Sequence, residues 1–165
     1  MKVLILMGSE SNKKKMLPAK EVLDQLGVSC KMHIASAHRT PERTRQLVDD
    51  MEAAGCQIFI CGAGMAAHLA GAVAAETIKP VIGVPLDGSA LTGVDALFST
   101  VQMPPGMPVA TVAINGAKNA AYLAAQILAL TDKNVAIRLH DARQYAAADV
   151  VAADERLQEE LNQQK

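Results

Sequence analysis

The sequence predicts an α/β fold, a doubly wound parallel sheet in a flavodoxin-like or Rossmann-like three-layer sandwich with a long C-terminal helix. Three observations predict it. Five short apolar runs recur along the 165 residues, each followed by a stretch with helical features. The runs are largely continuous rather than alternating, as strands covered on both faces are. Gly, Ser, Asp or Asn stands shortly after each run, where a strand hands over to a helix.

The first run, KVLILM at 2–7, ends at Gly8-Ser9. KKKMLPAKEVLDQLG at 13–27 then carries Met16, Ala19, Val22, Leu23 and Leu26 at helical spacing, with Gly27 as its stop. SCKMHIA at 29–35 reads as the second strand. TPERTRQLVDDMEAAG at 40–55 is the second helix, with Thr40 suited to the N-cap, Pro41 to the first turn, Glu42 to the positive helix end and Gly55 to the stop. QIFICGA at 57–63 leads into a small-residue helix, MAAHLAGAVAAE at 65–76, and KPVIGVP at 79–85 is the fourth strand. A short helix is expected within 89–103, a fifth strand at PVATVAI, 108–114, and an Ala/Leu helix at 116–130. Residues 132–165 read as a helical extension of a single 1–165 domain, long enough to dock on another subunit.

Composition narrows the function. Half the residues are hydrophobic, yet aromatics make up 2% and Trp is absent, which disfavours stacking platforms for bases or flavins. A formal net charge of −1 offers no field to grip a nucleic acid. The three cysteines, Cys30, Cys56 and Cys61, form no CxxC pair and read as buried thiols. The run VLILM is too short for a signal segment, and no apolar stretch reaches the roughly 20 residues that cross a bilayer. A soluble cytoplasmic protein with no membrane partner is expected. The four histidines show no HxxxH or HxH spacing, so no metal is expected.

In a doubly wound sheet ligands bind beyond the carboxyl ends of the strands, so the strand-to-helix loops carry the chemistry. In the first, Gly8 permits close backbone approach, and Ser9 and Ser11 offer hydroxyls beside a helix N-terminus. That suits a phosphate cradle or an ordinary Ser/Asn cap. Lys13, Lys14 and Lys15 fit a solvated helix face better than a phosphate site. In the second loop Ser36 can donate to phosphate, Arg39 can hold its oxygens in a fork, and His38 can carry a proton near neutral pH. The third loop matches G-x-G-x-x-A, with Asp87 about 20 residues on, but it follows the third strand rather than the first, so a dinucleotide site is poorly supported. His68 lies within the expected third helix and could face either the core or the site. The stiff segment VQMPPGMPVATV could wall a pocket, and Asn119 could serve a small ligand or only cap a helix. A Ser-His-Asp hydrolase would want a G-x-S-x-G elbow, which the sequence lacks.

The stretches MGSESN, SAHRTP, GAGMAAHLAG, PVIGVP, VDALFSTVQMPPGMPVATVAI and AKNAAYLAAQIL together resemble the PurE family of purine biosynthesis, over nearly the whole chain. Arg39 within SAHRTP looks like the branch that moves a carboxyl group within N5-carboxyaminoimidazole ribonucleotide (N5-CAIR) to give 4-carboxyaminoimidazole ribonucleotide (CAIR). The branch that fixes free CO2 tends to carry Lys there. The resemblance implies a ribonucleotide substrate, no cofactor, no metal and a homo-oligomer, an octamer in the family. It implies His38 as general acid and base. Ser9, Ser11, Asn12, Ser36, Arg39 and His68 would bind substrate, and Gly62, Ala63 and Gly64 would bring backbone N–H groups to the carboxylate or CO2. Two positions depart from the family pattern. Asn12 stands where the family usually has Asp, which weakens a charge-assisted bond to ribose by roughly 1 kcal/mol. Ala70 stands where the family has Pro, freeing the backbone there. A CO2-fixing enzyme and a ribonucleotide-binding protein without chemistry are the competing readings.

Overall fold

A computed structural model describes residues 1–163. The chain runs β1 (Val3–Met7), a 3-10 turn at Glu10–Asn12, α1 (Lys13–Gln25), β2 (Cys30–Ile34), α2 (Pro41–Ala53), β3 (Ile58–Gly64), α3 (Leu69–Ala74) and β4 (Val81–Leu86). It continues through α4 (Val94–Val101), β5 (Ala110–Thr111), α5 (Ala117–Ala129) and α6 (Lys133–Gln163). All strand pairings are parallel, in the order β2-β1-β3-β4-β5. This is the flavodoxin-like order, with the direction of winding reversing between β1 and β3.

The period-two alternation of the strands sorts the core into two layers. Val3, Ile5 and Met7 of β1 join Ile58 and Ile60 of β3 under α1, α5 and the start of α6. Leu4, Leu6, Phe59 and Cys61 face the other way, onto Val48 of α2 and Leu69, Ala70 and Val73 of α3. Ala117, Ala120, Ala121, Ala124 and Ala125 make one face of α5 nearly flush with its backbone, so that α5 lies close to the sheet and α1. Burial pushes the Cys61 thiol up, as expected for a structural cysteine. Among the described residues no helix is long and apolar enough to cross a membrane.

Helix ends follow the sequence signals. Gly27 and Gly55 take φ of +63° and +88°, and the Val28 N–H closes on the Leu23 carbonyl at 2.8 Å. α6 is capped by Asp132, whose Oδ1 accepts from the Asn134 and Val135 N–H groups at 3.0 and 3.3 Å. Arg138 ties α6 back to the Leu26 carbonyl at 3.1 Å. Val135 and Leu139 are its buried residues and Ala142 packs half-buried beside them, so the helix leaves the body after its third turn. The expected extension over 132–165 is thus helical to Gln163, and residues 164–165 lie outside the described residues.

Three expectations change. β5 shrinks from 108–114 to two residues, Ala110 and Thr111, paired to Ile82 and Gly83. Pro108 leads into it, and Pro85 of β4 has no N–H to continue the ladder. The Val112 and Asn115 N–H groups still reach the Gly83 and Pro85 carbonyls, at 3.0 and 2.8 Å. The helix expected at 65–76 narrows to Leu69–Ala74, because Met65 takes φ +55° and breaks the entry. His68 therefore stands at the N-cap of α3 rather than one turn inside it.

Candidate active site

The loops after β1, β2, β3 and β4 open at the same end of the sheet, around a cleft of about 710 Å³. After β2 the chain folds back on itself. The Thr40 N–H donates to the Ser36 carbonyl at 2.8 Å, and Thr40 Oγ1 accepts from the Ser36 N–H at 3.0 Å. Thr40 holds the N-cap position of α2 but spends its hydroxyl on this turn rather than on the helix. Ser36 Oγ accepts from the backbone N–H and the Nε of Arg39, at 3.2 and 3.3 Å, which leaves its own proton free to donate. Arg39 Nη2 reaches the Gly8 carbonyl at 3.0 Å and so joins this loop to the one after β1. Nη1 and the second Nη2 hydrogen remain for an anion. Past Arg39 a shallower recess of about 370 Å³ extends toward Arg43.

The β1 loop is tied internally. Ser9 donates to Asn12 Oδ1 at 3.0 Å and lies 2.6 Å from Ser11 Oγ, which then donates to Ser9. With its carbonyl turned to Ser9, Asn12 has its amide N–H groups left to give. At the β3 loop a Cβ on Gly64 would stand 3.0 Å from the Leu86 carbonyl oxygen, so only glycine fits there without displacing β4. From that loop His68 meets His38. The two rings stack with centroids 5.7 Å apart and planes 13° from parallel.

Of the residues singled out from sequence, Ser9, Ser11, Asn12, Ser36, His38, Arg39, Ala63, Gly64 and His68 line this one cleft. Gly62 stands apart from the lining. It is buried in β3, where a Cβ would stand 2.3 Å from Met16 Sδ, and its carbonyl accepts from the Gly8 N–H at 3.2 Å. Its side-chain position faces α1. Asn119 and the Pro104–Pro108 segment also fall outside the lining.

The lining includes two residues that the sequence reading weighed and set aside, Lys15 and Asp87. Lys13 and Lys14 are exposed, as a solvated face would be, but Lys15 crosses to the β4 loop. Its Nζ donates to the Asp87 carbonyl at 2.7 Å and pairs with the Asp87 carboxylate. This ammonium, and then Asn115, hold the Asp87 carboxyl below its ordinary range. The usable signal was position: Asp87 is the first residue past β4, at the ligand end of the sheet.

The cleft thus has a fork of cationic and hydroxyl donors at one side, a pair of imidazoles in its middle and glycine-lined backbone beside them. It can anchor a phosphate, move a proton and hold a small flat group against backbone.

A sequence profile described as AIR carboxylase matches residues 2–149. The N5-carboxyaminoimidazole ribonucleotide mutase of Methanocaldococcus jannaschii is 49% identical over 95% of this chain and 98% of its own length. The protein of the same name from Escherichia coli is 48% identical over 91% of this chain and 90% of its own. The crystal structure of Treponema denticola PurE superposes with a TM-score of 0.86 at 31% identity, covering 94% of this chain and 97% of that one.

Proposed function

Because the chain belongs to the AIR carboxylase family, we propose that this cleft works as an N5-carboxyaminoimidazole ribonucleotide mutase site, with His38 as its proton carrier. The reaction is an intramolecular carboxyl transfer, an isomerisation of N5-CAIR to CAIR in purine biosynthesis. Arg39 and the Ser36 hydroxyl take the phosphate, with Ser9, Ser11 and Asn12 beside them. Their binding energy goes into orienting the ring.

His38 donates a proton to N5 as the N5–carboxyl bond breaks and CO2 leaves. The electron-rich C4 of the aminoimidazole then attacks the CO2 carbon, and the C4 proton passes to His38. One proton is lent and returned, so the cycle closes on the enzyme it began with. Ala63 and Gly64 flank the CO2 between the two steps, and Gly64, with no side chain, lets it lie close against the backbone.

The observation that carries the proton-carrier assignment is the position of His38. It sits between Ser36 and Arg39 on a turn fixed by Thr40, and its ring is stacked on His68. The test is interconversion of the two ribonucleotides by purified protein, with His38→Asn alongside. A variant that kept near-normal rates would remove His38 from the chemistry.

The working form is a homo-oligomer, an octamer. Val94, Phe98 and Val101 leave an apolar stripe on α4 at 44%, 58% and 45% exposure, and α6 extends past the body with Tyr145, Val150 and Val151 in the open. A contact between copies would cover both. A phosphorylated substrate, which does not cross bilayers unaided, suits the cytoplasm. Sedimentation of the purified chain as a monomer would refute the assembly.

A further inference from the structure

We propose that Lys15 and Asp87 read the carboxyl-bearing edge of the substrate, Lys15 by donating to the carboxyl group in transit and Asp87 by accepting from the nitrogen beside it. The proposal rests on the activity proposed above.

Sheet order places the pair. Arg39 and Ser36 follow β2 and Ser9 follows β1, whereas Asp87 follows β4, two positions beyond β1. Strands lie about 4.8 Å apart, so the β4 loop stands roughly 14 Å from the β2 loop. A nucleotide anchored by its phosphate at Arg39 and lying along the cleft points its ring edge toward Asp87.

The pair is held ready. Lys15 Nζ donates to both the carbonyl and the carboxylate of Asp87, and an ammonium has three hydrogens to give. Asp87 N–H donates to Asn115 Oδ1 at 3.3 Å. A Cβ on Gly93 would stand 3.2 Å from Asp87 Cα, so the loop packs tightly behind it. The side chains stay open, at 34% and 42% exposure, and both line the cleft. Among the described residues they are its only amine and its only carboxylate.

A donor fixed beside an acceptor complements a ligand with an amine next to a carboxylate. N5-CAIR presents an N–H and a carboxylate on one atom chain, and CAIR presents an amino group and a carboxylate on neighbouring ring carbons. The decarboxylated ring offers only the amine. As a neutral pair, Lys15 and Asp87 add no net repulsion toward the phosphate. The bland alternative is a strap that only fastens the β4 loop to α1.

Calorimetric titration of the full chain with CAIR and with aminoimidazole ribonucleotide separates the two. Lys15→Met is expected to weaken CAIR at least about tenfold, the loss of one charge-assisted bond, while the decarboxylated ring changes less than about twofold. Asp87→Asn is expected to weaken both. Equal weakening of both ligands by Lys15→Met, or no weakening, overturns the proposal in favour of the strap. Should that variant fail to fold, Lys15→Gln is read by the same ratio. The double reversal Lys15→Asp with Asp87→Lys gives a second reading: a strap recovers and a reader does not, so restored CAIR preference would also overturn it. A wild-type chain that binds both rings without interconverting them overturns the activity alone, and the ratio still decides the pair.

Discussion

The imidazole of His38, from the loop after β2, stacks on that of His68 at the start of α3, with centroids 5.7 Å apart and planes 13° from parallel. The two loops approach from opposite sides of β1. His68 therefore limits how the His38 ring can turn. The acid and base role proposed for His38, serving two atoms of one substrate, needs such restraint.

Replacing His38 by Asn should lower kcat by about 10²–10⁴-fold, the usual worth of general acid–base catalysis, with nucleotide binding retained. Binding by calorimetry and turnover by absorbance check the two halves separately.

In the proposed mechanism the stack gives His68 the part of a positioning residue for His38. Aromatic pairs of this kind contribute about 0.5–1.5 kcal/mol, so His68→Ala should cost up to about tenfold in kcat. His68→Phe keeps a ring for His38 to lie on and should recover much of that loss. Equal losses in both variants would mean that the His68 nitrogens matter and the stack does not.

Arg39 bonds to Ser36 Oγ and the Gly8 carbonyl at once, at 3.3 and 3.0 Å, and still has donors for an anion. Lysine cannot span those acceptors and a phosphate together. Arg39→Lys should raise KM about tenfold or more, with a smaller change in kcat, because the lost interaction is present in ground and transition states alike. Steady-state kinetics would expose the opposite split.

Much of this site was legible in the sequence because polar residues in short strand-to-helix loops have few places to point. Ser36, His38 and Arg39 share one tight turn, and Ser9, Ser11 and Asn12 another. Lys15 was not legible, since a lysine in a basic run at a helix start looks solvated. Only the β4 loop folding over α1 supplies its partner, Asp87, seventy-two residues away. Gly62 and Gly64 look equivalent in the motif, but the backbone at the end of β3 turns the first onto Met16 and the second toward the Leu86 carbonyl and the cleft. Helices with clear stops, such as α1 and α2, matched their expected ends closely. β5 did not, because its pairing depends on a proline in the neighbouring strand.

Gly62 gives a stability test distinct from the chemistry. A Cβ there would lie 2.3 Å from Met16 Sδ and 2.9 Å from Met16 Cε, and Met16 is fully buried. Gly62→Ala should destabilise the chain by about 1–3 kcal/mol through overpacking. Met16→Ala removes the obstructing atoms, so the double variant should be less destabilised than the sum of the singles. Additive effects in urea denaturation would place the cost elsewhere.

Lys2, just before β1, bonds to Asp132, the cap of α6, with Nζ 2.6 Å from Oδ2. This ammonium is the first cause, and the Val135 N–H the second, of an Asp132 carboxyl held below its ordinary range. A carboxyl whose folded-state pKa is depressed contributes stability above its unfolded pKa and loses it as pH falls through the folded one. The contribution should therefore be intact at neutral pH and fade below about pH 4, where an unperturbed Asp begins to protonate. Asp132→Asn keeps a good cap for α6 and removes only the charge. The variant should be slightly less stable than the parent at neutral pH, and the gap should close in acid. The side chains are partly exposed, so salt should narrow the gap as well. Urea midpoints of both proteins across this pH range are the measurement, and two curves that stay parallel would show that the Lys2–Asp132 pair contributes nothing to holding α6 on the sheet.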